Sequence, residues 1–159
     1  MSKKLPYMDS KCDPVHAQQR IRQTLLKFGV DRISFDEDFK AFTIYMKFRY
    51  KDYPVCVPVN YGEVAKRFMA AGPSWHTSRS RSTKADWEQK HRDKAYRASF
   101  SIIEDFIKSM ITMVELGVST FEEIFMCYFM GPNEKRLGEY LVKVLPDYIG
   151  GQLALPEGK

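Results

Sequence analysis

The stretch from Lys84 to Leu116 constrains the fold more than any other part of the sequence. It reads as one helix of about nine turns at 3.6 residues each, so the rest of the chain has to be organised around it. From Ala95 onward, Ala95, Tyr96, Ile102, Ile103, Phe106, Ile107, Met110, Met113 and Val114 recur at helical spacing as one broad apolar stripe. That half belongs to a core. Between Lys84 and Arg97 the stripe is missing. At roughly 100° of turn per residue, Trp87, Lys90, His91, Lys94 and Arg97 gather on the side opposite the later stripe. This half is expected to meet something outside the core.

The charge distribution points to the same place. Of 25 Lys and Arg against 20 Asp and Glu, residues 61 to 100 hold nine cations (Lys66, Arg67, Arg79, Arg81, Lys84, Lys90, Arg92, Lys94, Arg97) and four acids. The remainder of the chain is balanced, so the whole net charge of +5 sits in this quarter. A focused basic segment is the footprint of a surface that meets phosphates or an acidic partner.

The flanking sequence supplies the other elements. Residues 1 to 12 lack periodicity and are expected to fray. Asp13 before Pro14 signals a helix start, Gly29 a stop, and Ala17, Ile21, Leu25 and Phe28 share one face between them. The period then changes from 3.6 to 2. Arg32 to Asp36 reads as a short strand. Phe42, Ile44, Met46, Phe48 and Tyr50 alternate with Ala41, Thr43, Tyr45, Lys47 and Arg49, and Tyr53, Val55, Val57 and Val59 continue the alternation. Pro54 and Pro58 cannot donate to a ladder, which places the third strand at an edge. One sheet face is apolar; the other displays Arg32, Tyr45, Lys47 and Arg49. A helix from about Gly62 to Ala71 closes an αβββα unit over 13–72.

Residues 73–83, PSWHTSRSRST, read as a basic Ser/Arg-rich loop carrying Trp75, His76, Arg79 and Arg81. Thr83 with Asp86 resembles a capping box for the long helix. Within that helix, Glu88 with Arg92, Asp93 with Arg97 and Glu104 with Lys108 are spaced for ion pairs. The region 84–149 is expected to be a helical unit sharing the core. Ser119 with Glu122 opens a helix apolar all round, which is either a buried centre or a homodimer interface over 120–130. Asn133 caps a last helix with Leu137, Tyr140, Leu141 and Val144 inward and Pro146 as its stop; 150–159 is a loosely held tail. The fold class is therefore α+β: an N-terminal helix and three-stranded antiparallel sheet, then an all-helical C-terminal half with one long helix.

Three widely spaced cysteines, Cys12, Cys56 and Cys127, argue against a disulfide framework, and the longest apolar run, Ile124 to Met130, is far short of the roughly 20 residues that span a bilayer. The expectation is a soluble cytoplasmic protein without a membrane partner. Cys12 and His16 share a metal-ligand spacing, but no second Cys/His pair completes a zinc site, so no metal or other cofactor is expected. Glu88 and Lys90 form an E-x-K that nucleases use on strands, here on a helix. Asp36, Glu37 and Asp38 lack the glycine and distal glutamate of a calcium loop. No phosphate loop, dinucleotide fingerprint or nucleophile elbow is present, and no catalytic residues are assigned.

Binding is the remaining chemistry. Lysine and arginine neutralise phosphates, and aromatic rings stack on unpaired bases. The candidate surface comprises Tyr45, Lys47 and Arg49 on the sheet, Trp75, His76, Arg79 and Arg81 on the loop, and Lys84, Trp87, Lys90, His91, Lys94 and Arg97 on the helix. The order helix, three strands, helix over 14–71 is also that of double-stranded RNA-binding domains, although their lysine cluster is represented only by Lys66 and Arg67.

The segment Ala95 to Met130 resembles a pattern of small uncharacterised phage and mobile-element proteins: an A-Y-R opening, an I-x-D-W/F-I/V run, a glycine turn and an E-x-F-x-x-Y helix. Tyr96, Arg97, Ile103, Asp105, Phe106, Ile107, Gly117, Glu123, Phe125 and Tyr128 occupy those places. The resemblance implies a phage or prophage accessory protein in a bacterial host. Two expectations follow. The first is a non-enzymatic protein that binds nucleic acid, single-stranded or RNA. The second is an anti-defence inhibitor, anti-CRISPR-like, that binds a host nucleic-acid-processing protein or nucleoprotein.

Overall fold

The computed structural model describes residues 4–76 and 83–152, with side chains as far as residue 147. It is an α+β fold. Helix α1 (Pro14–Phe28) begins where the Asp13 carboxylate accepts from the Val15 N–H at 2.9 Å, and ends at Gly29, whose φ of 102° needs no Cβ. Strands β1 (Arg32–Asp38), β2 (Thr43–Tyr50) and β3 (Tyr53–Asn60) form an antiparallel sheet in the order β1-β2-β3. The alternation fixes the faces: Ile44, Met46 and Phe48 of β2 are buried beside Val55 and Val57 of β3. Against that apolar face lie α1, through Phe28 on Tyr50, and α3 (Lys84–Glu115), through Phe100 on Phe35, with α2 (Tyr61–Ala71) packed on α3. On the opposite face Lys47 and Arg49 are exposed, whereas Cys56, paired with Lys47, is buried.

The proline-bearing third strand is at an edge, but part of that edge is paired. Met130 N–H donates to the Pro54 carbonyl at 2.8 Å, and Phe129 bridges Val55 antiparallel. This stub arises because the apolar stretch after Gly117 is not one helix. The capping box is made by Thr120 and Glu123, one residue later than Ser119 and Glu122, and α4 (Phe121–Phe125) runs straight into a 3-10 turn, Met126–Tyr128. The rings of this segment point several ways because they are surrounded. Phe121 stacks between Phe125 and Tyr50, with centroids at 4.6 and 4.4 Å, and Phe129 stacks on Tyr53 at 4.6 Å. Phe121 and Phe125 are buried while Met126 and Cys127 are exposed, and the apolar helix expected over 120–130 as a homodimer interface is not one continuous helix.

The last helix also departs from expectation. Asn133 has φ 65° inside a short 3-10 turn rather than capping a helix, and α5 (Leu137–Gln152) carries Pro146 within it. Leu137 and Leu141 are half-buried, whereas Tyr140 and Val144 are exposed, along with Val142 and Leu145. The tight approach is at Gly138, where a Cβ would lie 2.6 Å from the Cys127 carbonyl oxygen. Residues 4–12, expected to fray, are held on α3: Tyr7 Oη donates to Asp105 at 2.7 Å, and the Ser10 and Ser101 hydroxyls are 2.8 Å apart. Leu5, Met8 and Cys12 pack on the core.

The main electrostatic tie between α1 and α3 is the buried Glu104. Arg20 reaches its two oxygens at 2.8 and 2.9 Å, and Lys108 adds a third contact at 2.7 Å. The Arg20 hydrogen bonds above all hold the Glu104 carboxyl at about 2, down from 4.5. Its folded value lies below its unfolded value, so its stabilisation is complete above the unfolded value and disappears as pH falls through the folded one. With both cations half-exposed and screened, Glu104→Gln should cost on the order of 2 kcal/mol at neutral pH. Urea unfolding of wild type and variant should converge as pH drops across that window; a constant difference would refute the assignment. No described helix is long and apolar enough to cross a membrane.

Candidate nucleic-acid interface

The N-terminal half of α3 is secured at its first turn. Thr83 Oγ1 accepts from the Asp86 N–H at 3.1 Å and the Asp86 carboxylate accepts from the Thr83 N–H at 3.2 Å, completing the capping box. These bonds also keep the Asp86 carboxyl below its ordinary range. Thr83→Ala should remove about 1 kcal/mol of stability and speed amide hydrogen exchange in the first turn of α3, leaving residues after Ala95 protected.

Along this half, the acids are occupied by neighbours and several cations are not. Asp86 serves the cap, Asp93 accepts from Gln89 Nε2 at 2.8 Å, and Glu88 lies 4.0 Å from Lys84. Of the expected ion pairs, only Glu104 with Lys108 forms. Arg92 instead binds Gln89 Oε1 at 3.1 Å and lies over the Phe42 ring at 5.4 Å, and Arg97 Nε reaches only the Asp93 carbonyl at 3.4 Å. The amide of Gln89 thus takes both Arg92 and Asp93 out of the expected pairing. Lys90, Lys94 and Arg97 are exposed, and among the described residues none forms an ion pair. They sit at i, i+4 and i+7, rising about 6 and 4.5 Å along one edge of the helix.

The two aromatic members of the helix set are placed differently from the expectation. Trp87 and His91 are half-buried, their rings 4.5 Å apart, and stand one turn apart in a row that leads to the buried Ala95. They prolong the core stripe instead of opposing it. The stripe is wider than a single-partner wheel implies because α1 and α2 pack on α3 and the sheet meets it through Phe35 against Phe100 and Glu37 against Tyr96. His91 Nδ1 donates to the Trp87 carbonyl at 2.8 Å, which holds the ring against the helix.

The remaining candidates do not join one surface. Trp75 is half-buried and His76 exposed, with rings 4.8 Å apart, just after α2; Arg79 and Arg81 lie outside the described residues. Tyr45, Lys47 and Arg49 occupy the sheet face turned away from α1 and α3, so the sheet stands between them and the α3 cations. There Lys47 Nζ is 2.7 Å from Asp36 and 6.0 Å from the Tyr45 ring centre. The register sets Arg49 directly opposite Arg32, a residue the site prediction omits. Period-2 reading assigns Arg32 to this face but does not show its partner, because register depends on turn geometry. No known protein family, curated protein or solved structure matches the chain.

Proposed function

We propose that the protein is a non-enzymatic nucleic-acid-binding protein that meets the sugar-phosphate backbone of a single strand, DNA or RNA, along the Lys90–Lys94–Arg97 edge of α3. The observation that carries this reading is the run of exposed cations that form no ion pair among the described residues, in a segment whose acids are committed elsewhere. Each such cation that meets a phosphate releases counterions, which makes affinity fall with salt. Trp87, half-buried one turn before Lys90 and His91, gives the edge an aromatic neighbour, and base stacking contributes about 1–3 kcal/mol where it forms. The phage-accessory context rests on the sequence resemblance.

Fluorescence anisotropy with single-stranded DNA, single-stranded RNA and duplex probes over a salt series tests the reading. Three contacts predict a slope of log affinity against log salt of about −2 on single strands. A flat salt dependence, or no binding to any probe, would overturn it. A second reading, an inhibitor that docks on a host or defence nucleoprotein, is favoured by the exposed apolar side chains Tyr140, Val142, Val144 and Leu145 of α5. Capture of one defined nuclease from host lysate after nuclease treatment, lost on Val142→Asp, would support that reading over the first.

A further inference from the structure

The outer face of the sheet contains an arrangement that costs stability and contributes nothing evident to folding. Arg32 of β1 and Arg49 of β2 are direct cross-strand partners on that face, and both are exposed. Like charges directly opposite destabilise an antiparallel pair. Neither arginine forms an ion pair among the described residues, and the acids of β1 on the same face are engaged: Asp36 with Lys47, and Asp38 with the N–H groups of Lys40 and Ala41. The arginines border an open depression of about 350 Å³. Ser34 and Lys47, themselves cross-strand partners, form the next row along it, and Pro54, opposite Arg49, with Met130 makes its apolar side. Met130 is held there by its N–H bond to the Pro54 carbonyl.

Two guanidinium groups side by side match the oxygens of one phosphate, which would cancel the repulsion between them. A depression of this size with an apolar side suits a small ligand bearing a flat ring. We propose that this depression binds a nucleoside 5′-monophosphate group, with the phosphate between Arg32 and Arg49 and the base or sugar over Pro54 and Met130. The ligand is a free nucleotide or the 5′-phosphorylated end of a strand. The site lies across the sheet from the α3 edge and does not depend on that edge binding anything.

The test is a titration of the full chain with adenosine 5′-monophosphate, a 5′-phosphorylated tetranucleotide, inorganic phosphate and adenosine, followed by calorimetry and by backbone amide shifts. At least one of the first two ligands should bind about ten-fold more tightly than inorganic phosphate or adenosine. The shifts should fall on Arg32, Ser34, Lys47 and Arg49. The tighter of the two identifies the source of the monophosphate. Arg32→Gln with Arg49→Gln should lower that affinity about ten-fold or more, and Arg32→Lys, which keeps charge but loses the planar fork, should lower it in part. Lys90→Gln with Lys94→Gln should leave the adenosine 5′-monophosphate affinity unchanged while weakening single strands. Inorganic phosphate binding as tightly as both monophosphate ligands, shifts confined to α3, or unchanged affinity in the folded double variant would overturn the proposal.

Discussion

Replacing Lys90, Lys94 and Arg97 together by glutamate is expected to reduce affinity for a single-stranded oligonucleotide by about 100-fold or more at physiological salt. Each replacement removes one attraction to phosphate and adds one repulsion, and a 100-fold loss corresponds to about 2.7 kcal/mol spread over three positions. The effect should shrink as salt rises, and the variant's own salt slope should approach zero. Folding should survive, because all three side chains are exposed and make no ion pair among the described residues. Glutamate is also a good helix former. Anisotropy titrations at two salt concentrations, with circular dichroism to confirm the helix content, read both outcomes. Wild-type affinity in the folded triple variant would remove α3 from any nucleic-acid contact.

Phe125→Ala is expected to lower the unfolding free energy by about 3–5 kcal/mol. Phe125 is fully buried where α4 meets the sheet and α3, with its ring 5.7 Å from Phe48, 6.1 Å from Phe106 and 4.6 Å from Phe121. Removing it leaves a cavity whose walls belong to three elements and cannot all close in. Since domains of this kind are stable by about 5–15 kcal/mol, the variant should approach partial unfolding at body temperature. Phe125→Leu retains most of the volume and should cost less than about 2 kcal/mol. Urea unfolding monitored by tryptophan fluorescence and circular dichroism gives both values. Equal midpoints for Phe125→Ala and wild type would mean that α4 does not plug the core.

The elements whose periodicity is unbroken were legible before the structure. Asp13, Pro14 and Gly29 bracket α1, the alternation from Phe42 to Val59 gives two strands and their buried face, and Thr83 with Asp86 starts α3. Segments without a clean period are not legible in this way. From Phe121 to Met130 every turn of a helical wheel is apolar, so the pattern cannot distinguish a helix from a helix that breaks into a 3-10 turn and a strand stub. Pro146 lies inside α5 although its ring removes one backbone donor, so a proline read as a stop is not one here. The candidate interface divides the same way: the exposed cations of α3 were visible as a charge excess, but Trp87 and His91 were assigned to the wrong side.

By itself, the sequence determined α1, the three strands, α2 and α3, and which face of each strand is apolar, since those follow from periods of 2 and 3.6 and from local caps. It also located the charge excess. Tertiary structure alone decided what each charge meets. Gln89 takes Arg92 and Asp93 from their expected partners, leaving Arg97 without an ion pair among the described residues, and strand register sets Arg32 against Arg49 on the far side of the sheet. Helical spacing permits several partners for each long side chain, and strand register depends on turn geometry, so only the packed chain selects among them.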